Sequence, residues 1–459
     1  MRIACVHVPQ FALQSLCRMD PSLRGAAVAV VGAGFEPAAG VRSRPALHSP
    51  IVLACSRAAW GSGVRLGMTA GAARFVSPEL RVVAADAQLE RETVRAIADG
   101  LLGVSAVVDT GGRVGGGGAG GAHLAMYCEV PSKTRGATFG DRLLDLLDAF
   151  GLAARIGIAD DRFTAWVAAA HGAESGAAVF AREDRGVVIV PRGGSAAFLA
   201  PRPLSLLAIT PEVQHMLEAL GVRTLGEFAA LPAPSVARPL EADYQALARG
   251  DSGSALRPYA PEAPIREELA LGKAESLFGS AQAVAAVAQR VALRLAGRAR
   301  GAARLEVTVA GPGGERMVPI AAGRAATSEG ELAQLIAPLV AEAPGAQGKL
   351  RVIVVGEALA GEAAAVPAMV GATAAASNAS SPQVALPELE DGERAELGEL
   401  GELGQLGELV SLGSLGHPWQ RSAQQTLRSE RRDAHRRTRR ARPRRRPVVV
   451  AQSQLFGNR

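Results

Sequence analysis

The chain has 459 residues, which at ~100–200 residues per domain is enough for two to four domains with cores of their own. Apolar residues make up 48% and charged residues 20%, a globular composition that excludes a chain disordered from end to end; aromatics are only 4%, so the cores must be mostly Ala, Val and Leu. The formal net charge of +6 is unevenly placed: residues 421–459 carry +11, residues 361–420 carry −8 and residues 1–360 only +3, so global charge does not make the folded body a nucleic-acid binder.

Met1-Arg2 leads into a short apolar run that breaks at Pro9, too short for a signal peptide or a spanning helix. No later stretch reaches ~18 uninterrupted apolar residues, so no membrane segment is expected. Cys5, Cys17, Cys55 and Cys128 are scattered without a Cys-x-x-Cys or Cys/His ligand spacing. Neither a disulfide framework nor a metal site nor any other cofactor is expected, and the reading is a reduced, cytoplasmic protein.

Residues 2–8, 27–31 and Ile51 to Cys55 read as short buried strands, and residues 86–102 and 139–152 have helical apolar spacing, with a start at Phe139-Gly140-Asp141. Strands and helices are mixed, as in an α/β or α+β core. Gly115 to Gly121 is almost all Gly and reads as a loop; it lacks the Gly-Lys-Ser/Thr ending of a phosphate-cradling loop. From 160 to 250 the pattern is helical with Pro and Gly punctuation. Residues 261–360 then form a separate α/β module: a helix over Ala281 to Ala296, strands at Leu305 to Val309 and Met317 to Ile320, a helix over Glu329 to Ala341 and a strand at Leu350 to Val355. Residues 361–385 read as a linker. A Leu-Gly-Glu run follows from Glu396 to Gly416, where Gly at every third position opposes a stable helix, and then an Arg block over 421–446.

Three motifs suggest what the chain binds. In Leu220-Gly221-Val222-Arg223-Thr224-Leu225-Gly226-Glu227-Phe228, a helix from about Glu212 stops at Gly221, Thr224 caps the next helix and Glu227 completes a capping box. Such a helical hairpin either aims backbone N–H groups at a DNA phosphate, with Gly221, Val222, Arg223, Thr224 and Gly226 at the contact, or is simply packed by Leu220, Leu225 and Phe228. Arg290, Arg294 and Arg298, spaced by four, share one face of a helix, as a phosphate-contacting stripe or a solvated face would. Near the end, Gln452-Ser453-Gln454-Leu455-Phe456 has the form of a peptide whose Leu455 and Phe456 enter a pocket while Gln452 fixes orientation.

These residues carry a resemblance. Ser62-Gly63-Val64-Arg65-Leu66-Gly67-Met68 with Pro78-Glu79-Leu80, Gly151-Leu152, and Arg155-Ile156-Gly157-Ile158-Ala159-Asp160-Asp161-Arg162 with Ala165 resemble segments of the Y-family DNA polymerases. Val6-His7-Val8-Pro9, Phe198-Leu199-Ala200-Pro201 and Leu204-Ser205-Leu206-Leu207 are similar to the family's ImuB branch. The resemblance covers roughly residues 1–360. It implies an α+β, right-hand fold: palm and fingers within 1–165, a helical thumb with a helix-hairpin-helix within 166–250, an α/β little finger at 261–360, and a disordered low-complexity and Arg-rich tail at 361–459.

The departures from the family carry as much weight. A two-metal polymerase gathers several carboxylates around two cations about 4 Å apart. Here Ile3 to Val8 holds no acid, the first acid in the chain is Asp20, and residues 104–130 offer only Asp109 and Glu129, far apart in sequence. Where the family clamps the incoming triphosphate with a Tyr and an Arg, this chain has Arg57 and Trp60. The expectation is therefore a non-catalytic adaptor in damage-induced mutagenesis. By the resemblance it would bind primer-template DNA and the sliding clamp, the latter through Gln452, Leu455 and Phe456. It would recruit an error-prone DnaE-type polymerase and an ImuA-type, RecA-like protein at the nucleoid. Two other readings stand beside it: a divergent but active translesion polymerase using Asp109 or Glu129, and a nonspecific DNA-binding structural protein.

Overall fold

Strand β1 (Ile3–Val8) is buried at all six positions and forms the middle of a five-stranded sheet. The structure, a computed structural model, describes residues 1–32, 50–114, 123–172, 186–232, 239–251, 253, 255–262, 264–271, 277–311, 314–341 and 348–359. The chain divides into two units, Met1–Leu415 and Gly416–Arg459, and the second lies wholly outside the described residues. The Gly run, linker, Leu-Gly-Glu run, Arg block and terminal peptide expected from the sequence also lie outside them.

In the first sheet β1 lies between β6 (His123–Glu129) and β7 (Arg155–Ala159), with β5 (Val108–Val114) and β8 (Gly186–Ile189) at the edges. Side chains alternate along a strand, so Ala4, Val6 and Val8 share one face with Leu124, Met126, Cys128, Ile156 and Ile158. Helices α4 (Ala87–Leu102) and α5 (Gly136–Ala149) cover that face. α5 begins three residues before the expected start, because its N-cap, Arg135, makes no side-chain capping bond and so leaves no capping signal. Cys5, His7, Asp109, Tyr127 and Arg155 point to the opposite face, beneath α6 (Arg162–His171). A Cβ at Gly157 would stand 2.1 Å from the Ala165 carbonyl oxygen and 2.4 Å from the Ala169 nitrogen, so glycine is what allows α6 to close on β7.

This corrects the expected boundary at 165/166. That boundary cuts through α6, and β8 pairs in parallel with β7 as part of the same sheet. β8 escapes a sequence reading because it is four half-exposed residues, Gly-Val-Val-Ile, without alternation.

A smaller sheet orders β3 (Ile51–Cys55), β2 (Val28–Gly32) and β4 (Arg81–Ala84), as expected for the first two. It packs on α1 (Phe11–Met19), α2 (Arg57–Gly61) and α3 (Ala70–Val76). Short helices follow: α7 (Ser195–Leu199), α8 (Pro211–Ala219), α9 (Leu225–Ala230) and α10 (Pro239–Ala248).

The last described part is the expected α/β module. An antiparallel sheet runs β11 (Gly314–Ala326), β10 (Arg300–Gly311), β12 (Gly348–Leu359), β9 (Ile265–Leu271), with α11 (Leu277–Gly297) and α12 (Glu329–Ala341) packed on one face. α12 coincides with the expected helix, whereas the strands extend well beyond their apolar centres through backbone pairing that needs no apolar side chain. α11 also lies against α4: a Cβ at Gly297 would fall 1.8 Å from the Asp99 carbonyl oxygen. Among the described residues no helix is long and apolar enough to cross a membrane.

Candidate functional site

The sheet face beneath α6 is where the resemblance leads one to look for metal-binding carboxylates. Asp109 is there by ordinary alternation, opposite Tyr127, and the β5–β6 register shifts only beyond it, between Asp109 and Gly112. Gly111 makes that shift at φ +58°, where a Cβ would strike the Ala125 carbonyl oxygen. Asp109 is 5% exposed and already engaged. Its Oδ2 accepts from Arg162 Nη1 at 3.0 Å and from the Arg257 backbone N–H at 2.8 Å, and its Oδ1 accepts from the Gly111 N–H at 2.8 Å. Arg162, 1% exposed, also lies over the Tyr127 ring at 4.3 Å. The second acid of the interval, Glu129, pairs in register with Ile3 at the start of β1, two residues along β6 from the Tyr127 that stands opposite Asp109.

The rest of this face is uncharged or cationic. Cys5 sits between Tyr127 and Gly157, and burial pushes its thiol far above the ordinary range despite the nearby Arg162 cation. Burial likewise raises the Tyr127 phenol. His7 lies between Ala125 and Arg155 with the His123 ring 5.3 Å away. Burial first, then His123, His171 and Arg155, hold its imidazole well below the usual histidine range, so it is neutral. Among the described residues no three His, Cys, Asp or Glu side chains are grouped so as to hold a metal ion. The neighbouring acids of the quoted motif have other partners: Asp160 accepts from Arg2 Nη1 at 3.0 Å and from the Gly193 N–H at 2.7 Å, and Asp161 caps α6 through the Thr164 N–H at 2.9 Å. On α2, Arg57 is exposed, and the Trp60 ring lies beneath the Arg65 guanidinium at 4.2 Å.

The hairpin forms as expected. Thr224 caps α9 and Glu227 completes the capping box. Its N–H groups, however, are directed inward. Gly221 donates to the Glu218 carbonyl, Val222 to Leu217 and Gly226 to Ala200. The Arg223 and Thr224 N–H groups both donate to Glu227 Oε2, at 2.8 and 2.9 Å. The backbone bonds from Arg223 and Thr224 hold the exposed Glu227 carboxyl below its usual range. The expectation that these five N–H groups face a phosphate is corrected, because a carboxylate and three carbonyls from the chain itself already accept them. Val222 is buried, which leaves the Arg223 side chain and the open turn at Gly221, φ +88°, to meet solvent.

The arginine stripe is corrected more sharply. Arg290, Arg294 and Arg298 do share one face of α11, but that face packs inward. Arg294 Nε donates to Asp99 Oδ2 at 2.8 Å, and its Nη1 to Glu267 Oε1 at 3.1 Å and the Arg266 carbonyl at 2.9 Å. Arg298 reaches Asp99 Oδ2 at 2.9 Å and Glu357 Oε1 at 2.7 Å. Arg18 pairs with Glu267, and Arg290 donates to the Arg18 carbonyl at 3.1 Å. The Tyr259 hydroxyl adds a bond to Asp99 Oδ1 at 3.0 Å. Spacing by four reveals a shared face but not what the face meets. The acids that hold it are remote in sequence, Asp99 on α4 and Glu267 on β9. Gln452, Leu455 and Phe456 lie outside the described residues.

Residues 6–110 match the impB/mucB/samB family. No curated protein sequence matches the chain. Among solved structures, the chain is similar to DinB from Sulfolobus solfataricus at 13% identity and a TM-score of 0.43, covering 78% of this chain and 100% of that one. It is similar to the post-insertion binary complex of Dbh DNA polymerase at 12% identity and a TM-score of 0.44, with the same coverage. The insertion ternary complex of Dbh DNA polymerase gives 13% identity and 0.43, again over 78% and 100% of the two chains.

Proposed function

We propose that this chain is a non-catalytic, DNA-directed adaptor of translesion synthesis. The observation that carries the reading is the state of Asp109: its carboxylate is buried, paired to Arg162 and bonded to two backbone N–H groups, in a face where β1 supplies Cys5 and His7 instead of acids. Two-metal phosphoryl transfer needs carboxylates whose lone pairs are open to cations and whose charge is not cancelled by a fixed guanidinium. A carboxylate held by an internal arginine instead stabilises the face it lies on.

With the chemistry absent, the work is positioning. Arg223 and the turn at Gly221 supply contact to the DNA backbone, and Gln452, Leu455 and Phe456 engage the sliding clamp. Weak contact at each adds through effective concentration. By its ImuB-like motifs the chain recruits an error-prone DnaE-type polymerase and an ImuA-type partner. The test pairs primer extension with clamp binding on one purified sample. The expected result is no extension with Mg²⁺ or Mn²⁺, and clamp binding that is lost when Gln452, Leu455 and Phe456 are changed to Ala. Extension that disappears in Asp109→Ala would establish a polymerase instead.

A further inference from the structure

Large apolar side chains stand exposed beside α3 (Leu66, Phe75 and Val76), on α8 and the turn after it (Met216 and Leu220) and on the α/β module (Met317, Val355 and Leu359). The first group alone has a net charge of one sign around it. Residues 50–84 hold Arg57, Arg65, Arg74 and Arg81, all exposed, against a single acid, Glu79. Met216 and Leu220 share their element with Glu212 and Glu218, and the basic Lys349 and Arg351 of the α/β module are already paired with Glu268.

The surface beside α3 is continuous. Gly63 adopts φ +96°, and the point its Cβ would occupy lies 2.9 Å from Val76 Cγ1, so the turn after α2 rests against the end of α3. Phe75, the residue before Val76, is 89% exposed. On the same turn Arg65 stacks on Trp60 and donates through Nη1 to the Trp60 and Val64 carbonyls at 2.7 and 2.9 Å, which fixes its guanidinium beside the apolar surface. Leu66 follows it. An apolar centre rimmed by fixed arginines has the make-up of a protein-docking surface, whereas aliphatic side chains such as Val76 and Leu66 give a nucleic-acid base no ring to stack on.

A complementary segment exists in the same chain. From 397 to 415 every third residue is Leu, and residues 387–409 carry eight acids against Arg394. The Arg block over 421–446 offers this run charge but little apolar surface; the surface beside α3 offers both. β12 ends at Leu359, so residues 360–395 separate it from the run. A random chain of that length spans ~33 Å, about the diameter of a small domain. Such a tether supplies the run at an effective concentration on the order of a millimolar, enough to populate a weak contact. We propose that residues 396–415 dock on the surface formed by Arg65, Leu66, Phe75 and Val76 of the same molecule. The Leu side chains cover Phe75 and Val76, and the Glu side chains face the arginines.

The test compares the full-length protein with a variant of it lacking only residues 396–415, using a fluorescent peptide of residues 387–412 and anisotropy. The peptide should bind the shortened chain, more weakly as salt rises, and should bind the full-length protein at least tenfold more weakly, because there the run already occupies the surface. In the shortened chain Phe75→Ser, an exposed substitution, should weaken binding by roughly tenfold while leaving Tm unchanged, and Arg65→Glu should weaken it as well. A peptide with Leu397, Leu400 and Leu403 changed to Ser should bind no better than the unchanged peptide binds the Phe75→Ser variant. Equal affinity for the full-length and shortened chains, or full affinity in Phe75→Ser, would overturn the proposal. So would self-association of the full-length protein that Phe75→Ser abolishes, which assigns the surface to a second copy, or Phe75-dependent binding of a single-stranded oligonucleotide in place of the peptide, which assigns it to nucleic acid.

Discussion

Replacing Asp109 by Asn separates a structural carboxylate from a catalytic one by the sign of its effect on stability. In a two-metal site without its cations, clustered carboxylates repel one another, so removing one charge is neutral or stabilising. Here the opposite holds. Asp109 Oδ2 accepts from Arg162 at 3.0 Å, and Arg162 is 1% exposed, with Nε and Nη2 already lacking partners among the described residues. Asn keeps one acceptor oxygen for the Gly111 or Arg257 N–H but turns an amide NH₂ toward the other donors. The loss is one charge-assisted hydrogen bond, ~1.5–3 kcal/mol, plus the cost of leaving Arg162 buried and unbalanced. The Tyr127 ring at 4.3 Å still supports the cation, which places the total near the lower end of the ~3–5 kcal/mol seen when a buried pair is broken. Urea unfolding at pH 7, followed by far-ultraviolet circular dichroism, measures it. A variant as stable as the wild type, or more so, would refute the structural role of Asp109, and with it the argument for an inactive face.

Arg294→Ala should destabilise by ~3–5 kcal/mol in the same assay, since it leaves Asp99 and Glu267 buried with fewer donors. Acid should loosen the sheet face before it unfolds acid-pair networks. The native pKa of His7 is depressed, by burial first, so the unfolded chain takes up a proton below about pH 6.5 that the native state refuses; stability present above that pH falls by up to ~1.4 kcal/mol per pH unit, read as Tm at pH 7.5 and 5.5. Thr224→Ala should cost ~1 kcal/mol through loss of the α9 cap, measured by urea unfolding. Arg223→Ala should weaken DNA binding and reduce its salt slope by about 1, whereas Arg294→Met should leave the slope unchanged, both measured by titration at several salt concentrations.

What was legible in the sequence was local. The strands at Ile3, Val28 and Ile51, the helix at Glu329 and the Thr224 capping box all follow from patterns a few residues wide, and all are present. The missed features depend on partners far away in the chain. β8 is a strand because β7 accepts it as an edge, not because Gly-Val-Val-Ile alternates. Nothing in Asp160-Asp161-Arg162 tells a reader that Arg162 closes on an acid 53 residues earlier while the two adjacent acids go elsewhere. Asp109 itself faces inward by simple alternation with Val108, whose apolar side chain joins the core on the other face.

The α11 arginines show why a charge stripe is ambiguous until its neighbours are known. Asp99 receives Arg294, Arg298 and Tyr259, and Glu267 receives Arg18 and Arg294, so α1, α4, β9 and α11 meet in one buried network. Replacing such a network with apolar side chains of the same volume is often harmless to stability, while mispairing any member is expensive. Its effect is therefore less to glue the α/β module to the five-stranded sheet than to allow one register between them. Gly297 requires the same: α11 can approach Asp99 only where no Cβ intervenes. For a protein whose proposed work is to hold DNA and partners in a fixed relation, a register that tolerates no alternative matters more than a few additional kcal/mol of stability.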